Sequence, residues 1–169
     1  MMTASDVVDL YRAFNDAGIR VWIDGGWAVD ALLRRQTRPH KDLDIAVEQS
    51  DVARLCELLA AHGYGDVPRD DTSAWNFVLG DDQGREVDVH AIVLDRDGNG
   101  LYGPADEGAM YPAAALTGTG TITGQVVTCI SAESMVKFKT GYKLSEKDFR
   151  DVAALCEQFG IEYPAEHRR

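Results

Sequence analysis

The chain has 169 residues, of which 45% are hydrophobic and 27% are charged, a composition typical of one soluble globular domain. Its 28 acidic and 17 basic residues give a net charge of −11, which disfavours non-specific binding to nucleic acids and anionic membranes. The first residues lack the pattern of a signal peptide, and no apolar run approaches the ~20 residues that span a bilayer. We therefore expect a single domain over residues 1–169, in the cytoplasm, with no nucleic acid or membrane partner.

The first part of the chain is predicted to form a helix, a strand and a second helix around a glycine turn. The first helix ends at Gly18, and residues 19–24 are rich in β-branched and aromatic side chains, which favour a strand. Gly25 and Gly26 interrupt this strand, and apolar residues at helical spacing then continue to Leu33. Such a turn at the start of a helix can present backbone N–H groups to a phosphate.

A basic loop and a pair of carboxylates follow this helix. The loop supplies four closely spaced cations: Arg34, Arg35, Arg38 and Lys41. Residues 42–48 are predicted to form a strand, in which Asp42 and Asp44 point to the same face and can bind a divalent metal ion. For the basic loop alone, the alternative is a solvated loop without a ligand. For the carboxylate pair alone, the alternative is that the spacing arises by chance. Together with the glycine turn, they indicate a site for a metal-bound nucleoside triphosphate.

A hairpin is predicted over residues 75–94, with strands over residues 75–79 and 86–94 and a Gly/Asp turn between them. In its second strand, an apolar row that includes Val93 alternates with a row that holds Asp88, His90 and Ile92. Asp88 therefore points away from the apolar side and is the best candidate for a third carboxylate beside the first pair. His90 shares this face, where it can act as a base, orient a ligand or have only a structural role.

Other segments carry weaker signals. Ser50 is expected to cap a third helix. Residues 95–106 match several positions of a calcium-binding loop, but a strand rather than a helix precedes them, which favours a polar loop. Trp75, Tyr102 and Tyr111 either line the mouth of a substrate site or cover the core. Buried, reduced thiols are expected at the three widely spaced cysteines: Cys56, Cys129 and Cys156.

The second half of the chain is predicted to contain another hairpin and two helices. The hairpin covers residues 117–130, and a helix capped by Ser131 continues to about Tyr142. A last helix begins after Ser145, where a capping box is present in the sequence. Residues 166–169 are expected to form a polar tail.

Nucleotidyl transfer is the chemistry that this combination of residues permits. It requires a cradle for a triphosphate, metal ions that neutralise developing charge, and a base for the attacking hydroxyl. Two metal ions about 3.5–4 Å apart can stabilise both the attacking and the leaving oxygen, and three carboxylates are a natural minimum to hold them. Asp42, Asp44 and Asp88 supply these three, whereas the chain has no serine-hydrolase, zinc-protease or P-loop motif.

Several segments resemble a known family. Residues 22–30 (WIDGGWAVD) and 38–44 (RPHKDLD) look like the small antibiotic nucleotidyltransferases of the DNA polymerase β-like superfamily, which include lincosamide and 2''-type aminoglycoside enzymes. Residues 88–92 (DVHAI) resemble the D-I-H-P-I stretch of the lincosamide enzymes, and residues 141–148 (GYKLSEKD) resemble their C-terminal half. The resemblance extends over about residues 22–151.

The resemblance implies an α/β fold of the α+β kind, with a mixed, mainly antiparallel sheet flanked by helices and a short C-terminal helical section. It also implies that Asp42 and Asp44 bind Mg²⁺, that Asp88 is the third ligand and general base, and that Gly25 and Gly26 face the triphosphate. Phosphate contacts are expected from three further residues: Arg38, His40 and Lys139. Contacts with the acceptor are expected from another set: His90, Trp75, Tyr102 and Tyr111.

We expect the chain to transfer AMP from ATP to a hydroxyl of a small-molecule antibiotic, with two Mg²⁺ ions as cofactors and pyrophosphate as the second product. A lincosamide is the first expectation for the acceptor, because of the strand that carries Asp88 and His90. An aminoglycoside is the second, because an acidic surface suits a polycation. A homodimer is left open. The alternatives are an antitoxin-type enzyme that modifies a partner protein and a nucleotide-binding module without activity.

Overall fold

This computed structural model describes residues 1–104 and 108–168 of the chain. These residues contain five α-helices and nine β-strands. The helices are α1 (Ala4–Asp16), α2 (Gly25–Leu33), α3 (Val52–Ala61), α4 (Ala132–Phe138) and α5 (Glu146–Phe159). The strands are β1 (Val21–Asp24), β2 (Asp42–Glu48), β3 (Gly65–Val67), β4 (Asn76–Gly80), β5 (Glu86–Leu94), β6 (Gly100–Tyr102), β7 (Ala109–Tyr111), β8 (Gly118–Ile122) and β9 (Gln125–Cys129). Short 3₁₀ turns cover Gln49–Asp51, Ala113–Thr117 and Ala165–His167.

The strands belong to one mixed sheet. Its main path has the order β3-β4-β5-β2-β1-β9-β8, and the β6–β7 hairpin is attached to β5. The β1–β9 and β2–β5 pairs are parallel, and the other pairs between the described strands are antiparallel. The expected mixed, mainly antiparallel sheet with flanking helices is therefore confirmed, and β1, β2 and β5 lie side by side in its centre.

Helix α2 is buried on most of its surface and fixes the position of the glycine turn. Its apolar residues from Trp27 to Leu32 are buried, as expected for a helix that is apolar on all sides. It packs against β2, β8 and α5. Gly120 on β8 permits this close packing, because a Cβ atom there would overlap the backbone of Ala31. The start of α2 at Gly25 is thereby held directly after β1.

The alternation of buried and exposed side chains in β5 changes near its end. The sequence placed Val93 in the buried row and Ile92 in the opposite one, but Val93 is 48% exposed and Ile92 is fully buried. The β6–β7 hairpin explains the difference, because it pairs with this end of β5 and brings Gly100 against the Ile92 side chain. The polar face of β5 is therefore limited to the part that carries Asp88 and His90.

Two predicted helix ends are wrong. Ser50 lies in a 3₁₀ turn, and α3 begins at Val52 with Asp51 as its N-cap residue. Helix α4 ends at Phe138 rather than near Tyr142, because Lys139 leaves helical geometry and Gly141 adopts a φ of +81°. Lys139 and Tyr142 therefore lie in the loop between α4 and α5.

The predicted polar tail folds back onto the protein instead of extending into solvent. His167 is only 5% exposed, and its Nε2 atom donates a hydrogen bond to the carbonyl oxygen of Lys139 at 2.6 Å. The His167 ring also lies 5.2 Å from the Phe149 ring. Arg169, the last residue of the predicted tail, lies outside the described residues.

The segment that matches a calcium-loop pattern forms a polar turn between β5 and β6. The Asp95 carboxylate accepts hydrogen bonds from the backbone N–H groups of Asp97 and Asn99, which closes the turn. Asp106, the last position of the pattern, lies outside the described residues.

The three cysteines were expected to be buried, reduced thiols, and Cys56 is the exception to the expected burial. All three cysteines are free thiols, with Cys129 and Cys156 buried and Cys56 partly exposed. Among the residues that the structure describes, a helix with the length and apolarity needed to cross a bilayer is not found.

Candidate active site

Three carboxylates form a row across the centre of the sheet. Asp24 at the end of β1 is the ladder partner of Asp44 on β2, and Asp44 is in turn the ladder partner of Asp88 on β5. Partner side chains on adjacent strands share a face and lie about 5 Å apart. Asp42 adds a fourth carboxylate two residues before Asp44, on the same face of β2.

One end of this row has the geometry of a metal site. Asp44, Asp88 and His90 each offer one ligand atom, and these three atoms lie within 4.8 Å of one another. Carboxylate oxygens are the ligands that Mg²⁺ prefers, so the two aspartates fit this ion. The cluster differs from the predicted ligand set, because it includes His90 and does not include Asp42.

Burial and neighbouring charges raise the pKa values of two of these carboxylates, Asp44 and Asp88. Burial is the largest cause of the raised pKa of Asp44, and the negative charges of Asp42, Asp24 and Asp88 bring that pKa to about 8. Burial is also the largest cause of the raised pKa of Asp88. Carboxylates packed this closely retain a proton near neutral pH unless a cation compensates their charge. The row is therefore suited to binding a cation.

Gly25 and Gly26 are required by close packing around the row. Gly25 has a φ of +59°, and a Cβ atom at this position would overlap the Asp44 carboxylate. A Cβ atom on Gly26 would overlap the ring of His40. The N–H group of Gly25 donates to Oδ1 of Asp24 at 2.8 Å, so this donor is used within the protein. The two glycines therefore allow the start of α2 to approach the carboxylates.

A cavity of about 330 Å³ opens between the glycine turn and the loop after α4. Acidic and basic residues line it together: Gly25, Gly26, Arg38, His40, Asp42, Asp44, Lys139, Tyr142, Lys147 and Asp148. Nη2 of Arg38 and Nζ of Lys139 each lie 3.3 Å from the same Oδ2 atom of the buried Asp151 on α5. One carboxylate thus brings two cations from distant parts of the chain together, as binding of a phosphate by two donors requires.

A second carboxylate on α5 also holds Lys139. Oδ1 of Asp148 lies 3.2 Å from Nζ of Lys139 and accepts a hydrogen bond from the Tyr142 hydroxyl at 3.1 Å. Burial alone would raise the pKa of Asp148, but the hydrogen bonds from Ser145 and the Lys139 charge lower it well below its usual range. Asp148 also completes the capping box of α5 with Ser145. The start of α5 is therefore tied directly to the cavity.

His40 lies in the wall of the cavity with both ring nitrogens engaged. It is 4% exposed, and its ring lies 4.6 Å from the ring of Trp27. Nε2 is 2.5 Å from Oδ2 of Asp30, and Nδ1 is 3.1 Å from Nη1 of Arg38. Both ring nitrogens are therefore engaged with other side chains of the protein, in place of the predicted contact with a phosphate.

Aromatic side chains border the Asp88 end of the row. The Tyr102 hydroxyl lies 3.1 Å from Nδ1 of His90, whose Nε2 is 3.8 Å from Oδ1 of Asp88. Trp75 is 37% exposed and lies beside Gly103, just after Tyr102. Three of the four predicted acceptor contacts therefore surround one accessible region next to Asp88.

Tyr111, the fourth predicted acceptor contact, has a different position. It is 9% exposed, and its hydroxyl donates a hydrogen bond to Oδ2 of Asp24 at 3.0 Å. Its ring packs edge-on against Phe138 and Tyr102, at centroid distances of 5.6 and 6.1 Å. Tyr111 therefore supports the carboxylate row from its buried side.

The sequence identified only part of this arrangement. Of the four cations in the predicted basic loop, Arg38 lines the cavity, whereas Arg34 and Arg35 line a separate cavity beside Ala4. Four carboxylates of the site were not predicted: Asp24, Asp30, Asp148 and Asp151. The first had a visible signal, because it precedes the glycine turn, and Asp148 was recognised only as a helix cap. The partners of the other two depend on contacts between distant segments.

Comparisons with known proteins place this site in an enzyme family. The family model described as Aminoglycoside-2''-adenylyltransferase matches residues 6–155. A lincosamide resistance protein of Staphylococcus haemolyticus is 26% identical over 154 residues, which cover 91% of this chain and 94% of that protein.

Solved structures give the same assignment. The lincosamide antibiotic adenylyltransferase LnuA, in its lincomycin-bound crystal structure, is 26% identical, with a TM-score of 0.79 over 91% of this chain and 96% of that chain. ANT(2'')-Ia in complex with adenylyl-2''-tobramycin has the same fold, with 20% identity and a TM-score of 0.74 over 93% and 89% of the two chains. Because the family match covers most of its length, the chain belongs to the aminoglycoside-2''-adenylyltransferase family and is a nucleotidyltransferase.

Proposed function

We propose that this protein transfers AMP from Mg²⁺-bound ATP to a hydroxyl group of a lincosamide and releases pyrophosphate. The observation that supports it most is the carboxylate row beside a cavity in which Asp151 pairs two cations. The similarity to a lincosamide resistance protein and to LnuA, which binds lincomycin, supports the lincosamide. An aminoglycoside is the second candidate, supported by the family description and by the net charge of −11.

The carboxylates in the centre of the sheet are the proposed ligands of two Mg²⁺ ions. Asp44 and Asp88 are close enough to share one ion, and Asp42 with Asp44 would hold the second. Bound there, Mg²⁺ would neutralise charge on the triphosphate as the transfer proceeds. The raised pKa of Asp44 fits this role, because a cation that binds the carboxylate displaces the proton to solvent and compensates the charge that the neighbouring carboxylates oppose.

Asp88 is the proposed general base. Its side chain is 30% exposed, and it lies at the end of the row that the aromatic residues border, where an acceptor can approach. Asp88 takes the proton of the hydroxyl while the hydroxyl oxygen attacks the α-phosphorus of ATP. The bond from the α-phosphorus to the bridging oxygen breaks, and pyrophosphate leaves with the electron pair.

Arg38 and Lys139 are the proposed contacts for the β- and γ-phosphates. Both line the cavity and are held in position by Asp151. Charge-assisted hydrogen bonds from these cations would stabilise the pyrophosphate that leaves. Gly25 and Gly26 contribute by leaving space at the start of α2 for the triphosphate to approach Asp42 and Asp44.

The acceptor is proposed to bind on the opposite side of the row. Trp75 and Tyr102 offer aromatic surface there, and His90 offers a ring nitrogen beside Asp88. Tyr111 would act from behind this surface, through Tyr102 and Asp24. ATP and the acceptor would thus approach the carboxylates from two sides, as an in-line displacement requires.

Mass spectrometry after incubation with ATP, Mg²⁺ and a panel of lincosamides and aminoglycosides tests this function. We expect a mass gain of one AMP moiety on a lincosamide. Asp88→Asn should lower kcat by about 100-fold or more, because the base is lost. Asp82→Asn is the matched control, since it removes the same charge from an exposed position in the turn before β5 and should leave kcat unchanged.

The other outcomes separate the alternatives. A mass gain on an aminoglycoside alone would replace the first acceptor by the second. A mass gain on a protein would support the antitoxin-type enzyme, and nucleotide binding without any transfer would support the inactive module. If Asp88→Asn retained kcat within a few-fold, the role of Asp88 as base would be wrong. A homodimer also stays a prediction, which light scattering of the purified protein would check.

A further inference from the structure

Asp30 is a buried carboxylate that takes no part in the proposed chemistry. It lies on α2 with 2% exposure, and Oδ1 accepts hydrogen bonds from the Thr37 backbone N–H at 3.0 Å and the Thr37 hydroxyl at 2.6 Å. Its Oδ2 atom is paired with Nε2 of His40. A buried carboxylate is costly unless hydrogen bonds compensate it. These bonds all connect α2 to the loop between α2 and β2, so Asp30 fixes the conformation of that loop.

The contacts of His40 determine where its ring proton lies. Nη1 of Arg38 is 3.1 Å from Nδ1 of His40, and a guanidinium group can only donate hydrogen bonds. Nδ1 must therefore accept, which leaves the proton on Nε2, where it is donated to Asp30. The result is a directed chain in which Arg38 donates to His40 and His40 donates to Asp30.

Packing prevents the His40 ring from leaving this chain. One side of the ring lies against Trp27, and a side chain on Gly26 would overlap the ring. The second terminal nitrogen of Arg38, Nη2, lies 3.3 Å from Asp151. The Arg38 guanidinium is therefore held from two directions, by His40 through Nη1 and by Asp151 through Nη2.

We propose that Asp30 and His40 are positioning residues that hold the Arg38 guanidinium in the orientation needed to bind the triphosphate of ATP. This inference rests on the proposed function, in which Arg38 contacts the phosphates. A cation that is already oriented loses less conformational freedom when its ligand binds, so the pair strengthens binding without touching the nucleotide. His40 then acts on ATP through Arg38, instead of contacting the phosphates itself.

Two substitutions of His40 separate its two ring nitrogens. His40→Gln places an amide group near Nε2, which keeps a donor for Asp30 and loses the acceptor for Arg38. His40→Asn places an amide oxygen near Nδ1, which keeps the acceptor for Arg38. We expect His40→Gln to raise KM for Mg-ATP about tenfold, as for the loss of one hydrogen bond to a charged group, with a smaller change in kcat. His40→Asn should raise KM for Mg-ATP less than His40→Gln does, because it keeps the acceptor for Arg38.

Arg38→Ala and the double variant with His40→Gln complete the experiment. In the Arg38→Ala background, His40→Gln should cause no further rise in KM for Mg-ATP, because its effect passes through Arg38. KM for the acceptor should stay within about twofold of wild type in each of these variants. Arg35→Ala is the matched control, because it removes the same charge from the same loop. Arg35 itself lines a different cavity.

The outcomes distinguish a failure of the inference from a failure of the proposed function. If Arg38→Ala changes KM for Mg-ATP no more than Arg35→Ala does, the proposed phosphate contact of Arg38 is wrong. If Arg38→Ala raises this KM and His40→Gln does not, or if the two effects add in the double variant, the positioning role is wrong. Should His40→Gln fail to fold, Asp30→Asn gives the same comparison, and an unchanged KM for Mg-ATP would overturn the inference.

Discussion

The environment of Asp44 disfavours the ionised form of its carboxyl group, which lowers the stability of the metal-free protein. It lies between two carboxylates in the ladder, with Asp24 on β1 and Asp88 on β5, and Asp42 on its own strand. Burial first, and then these charges, raise its pKa to about 8. Because the pKa of an unfolded aspartate is about 3.9, the folded protein binds this proton more tightly than the unfolded chain does. Ionisation of Asp44 therefore opposes folding when the metal is removed.

We predict that the metal-free protein loses stability as the pH rises. The contribution of Asp44 is fully present below about pH 4 and is lost progressively as the pH approaches the folded pKa of about 8. Asp44→Asn replaces the carboxylate by a neutral group of the same shape. Its Tm in EDTA should therefore fall less than that of wild type between about pH 5.5 and 8, and should be the higher of the two at pH 8.

Two measurements control this prediction. Asp9→Asn removes a carboxylate from an exposed position on α1 and should show the pH dependence of wild type. Added Mg²⁺ should raise the Tm of wild type more than that of Asp44→Asn, because binding to the folded state stabilises it. Equal slopes of Tm against pH for wild type and Asp44→Asn would show that Asp44 is not the group responsible.

At the scale of single residues, the sequence is informative where a rule is local. The shared face of Asp42 and Asp44 follows from strand alternation, and the structure has both on β2 as predicted. The partners of Asp30 and Asp151 are not local, because they depend on a loop and a helix that meet only in the folded chain. His40 was visible as a basic residue near the site, but its two ring contacts were not.

At the scale of elements, the bounds of the central strands were predicted closely, whereas the pairing between these strands was not predicted. The predicted bounds of β2 and of β5 match the structure, because apolar residues alternate with polar ones along most of each strand, between clear breaks. Their parallel pairing joins segments separated by α3 and a hairpin, and no local pattern encodes it. The end of α4 was missed because Tyr142 lies four residues after Phe138, at helical spacing, although the backbone leaves helical geometry at Lys139.

Strand β8 packs against α2, the helix that begins at the glycine turn of the site. We predict that Gly120→Ala disturbs this packing. A Cβ atom on Gly120 would overlap the backbone of Ala31, so the strand or the helix must move. We expect a loss of about 1–3 kcal/mol in the free energy of unfolding, which is typical of overpacking. Urea unfolding would measure it.

Thr119→Ala is the control for this prediction. Thr119 is exposed on the same strand, so its substitution should change the free energy of unfolding by no more than about 0.5 kcal/mol. Equal urea midpoints for the two variants would mean that β8 does not pack closely against α2.

At the scale of the whole molecule, the charge distribution acts differently on the two substrates, the acceptor and Mg-ATP. The protein carries a net charge of −11, while Arg38 and Lys139 line the cavity proposed for the anionic triphosphate. A cationic acceptor is therefore attracted by the protein as a whole, whereas Mg-ATP is repelled by the surface and bound by local cations. Long-range attraction of this kind changes association rates and is screened by salt, with a Debye length of about 10 Å at 0.1 M.

We predict that salt affects the two substrates in opposite directions. When NaCl is raised from about 0.05 to 0.3 M, kcat/KM for an aminoglycoside with several ammonium groups should fall severalfold, because screening removes the attraction. For a lincosamide, which carries a single amine, the fall should be smaller, and kcat/KM for Mg-ATP at saturating acceptor should hold steady or rise. Initial rates at subsaturating concentrations of each substrate would measure these changes, with potassium glutamate in place of NaCl as a control for specific effects of chloride. The same salt dependence for both acceptors would mean that the net charge does not guide them to the site, and acceptor selection would then depend on contacts such as those of Trp75 and Tyr102 alone.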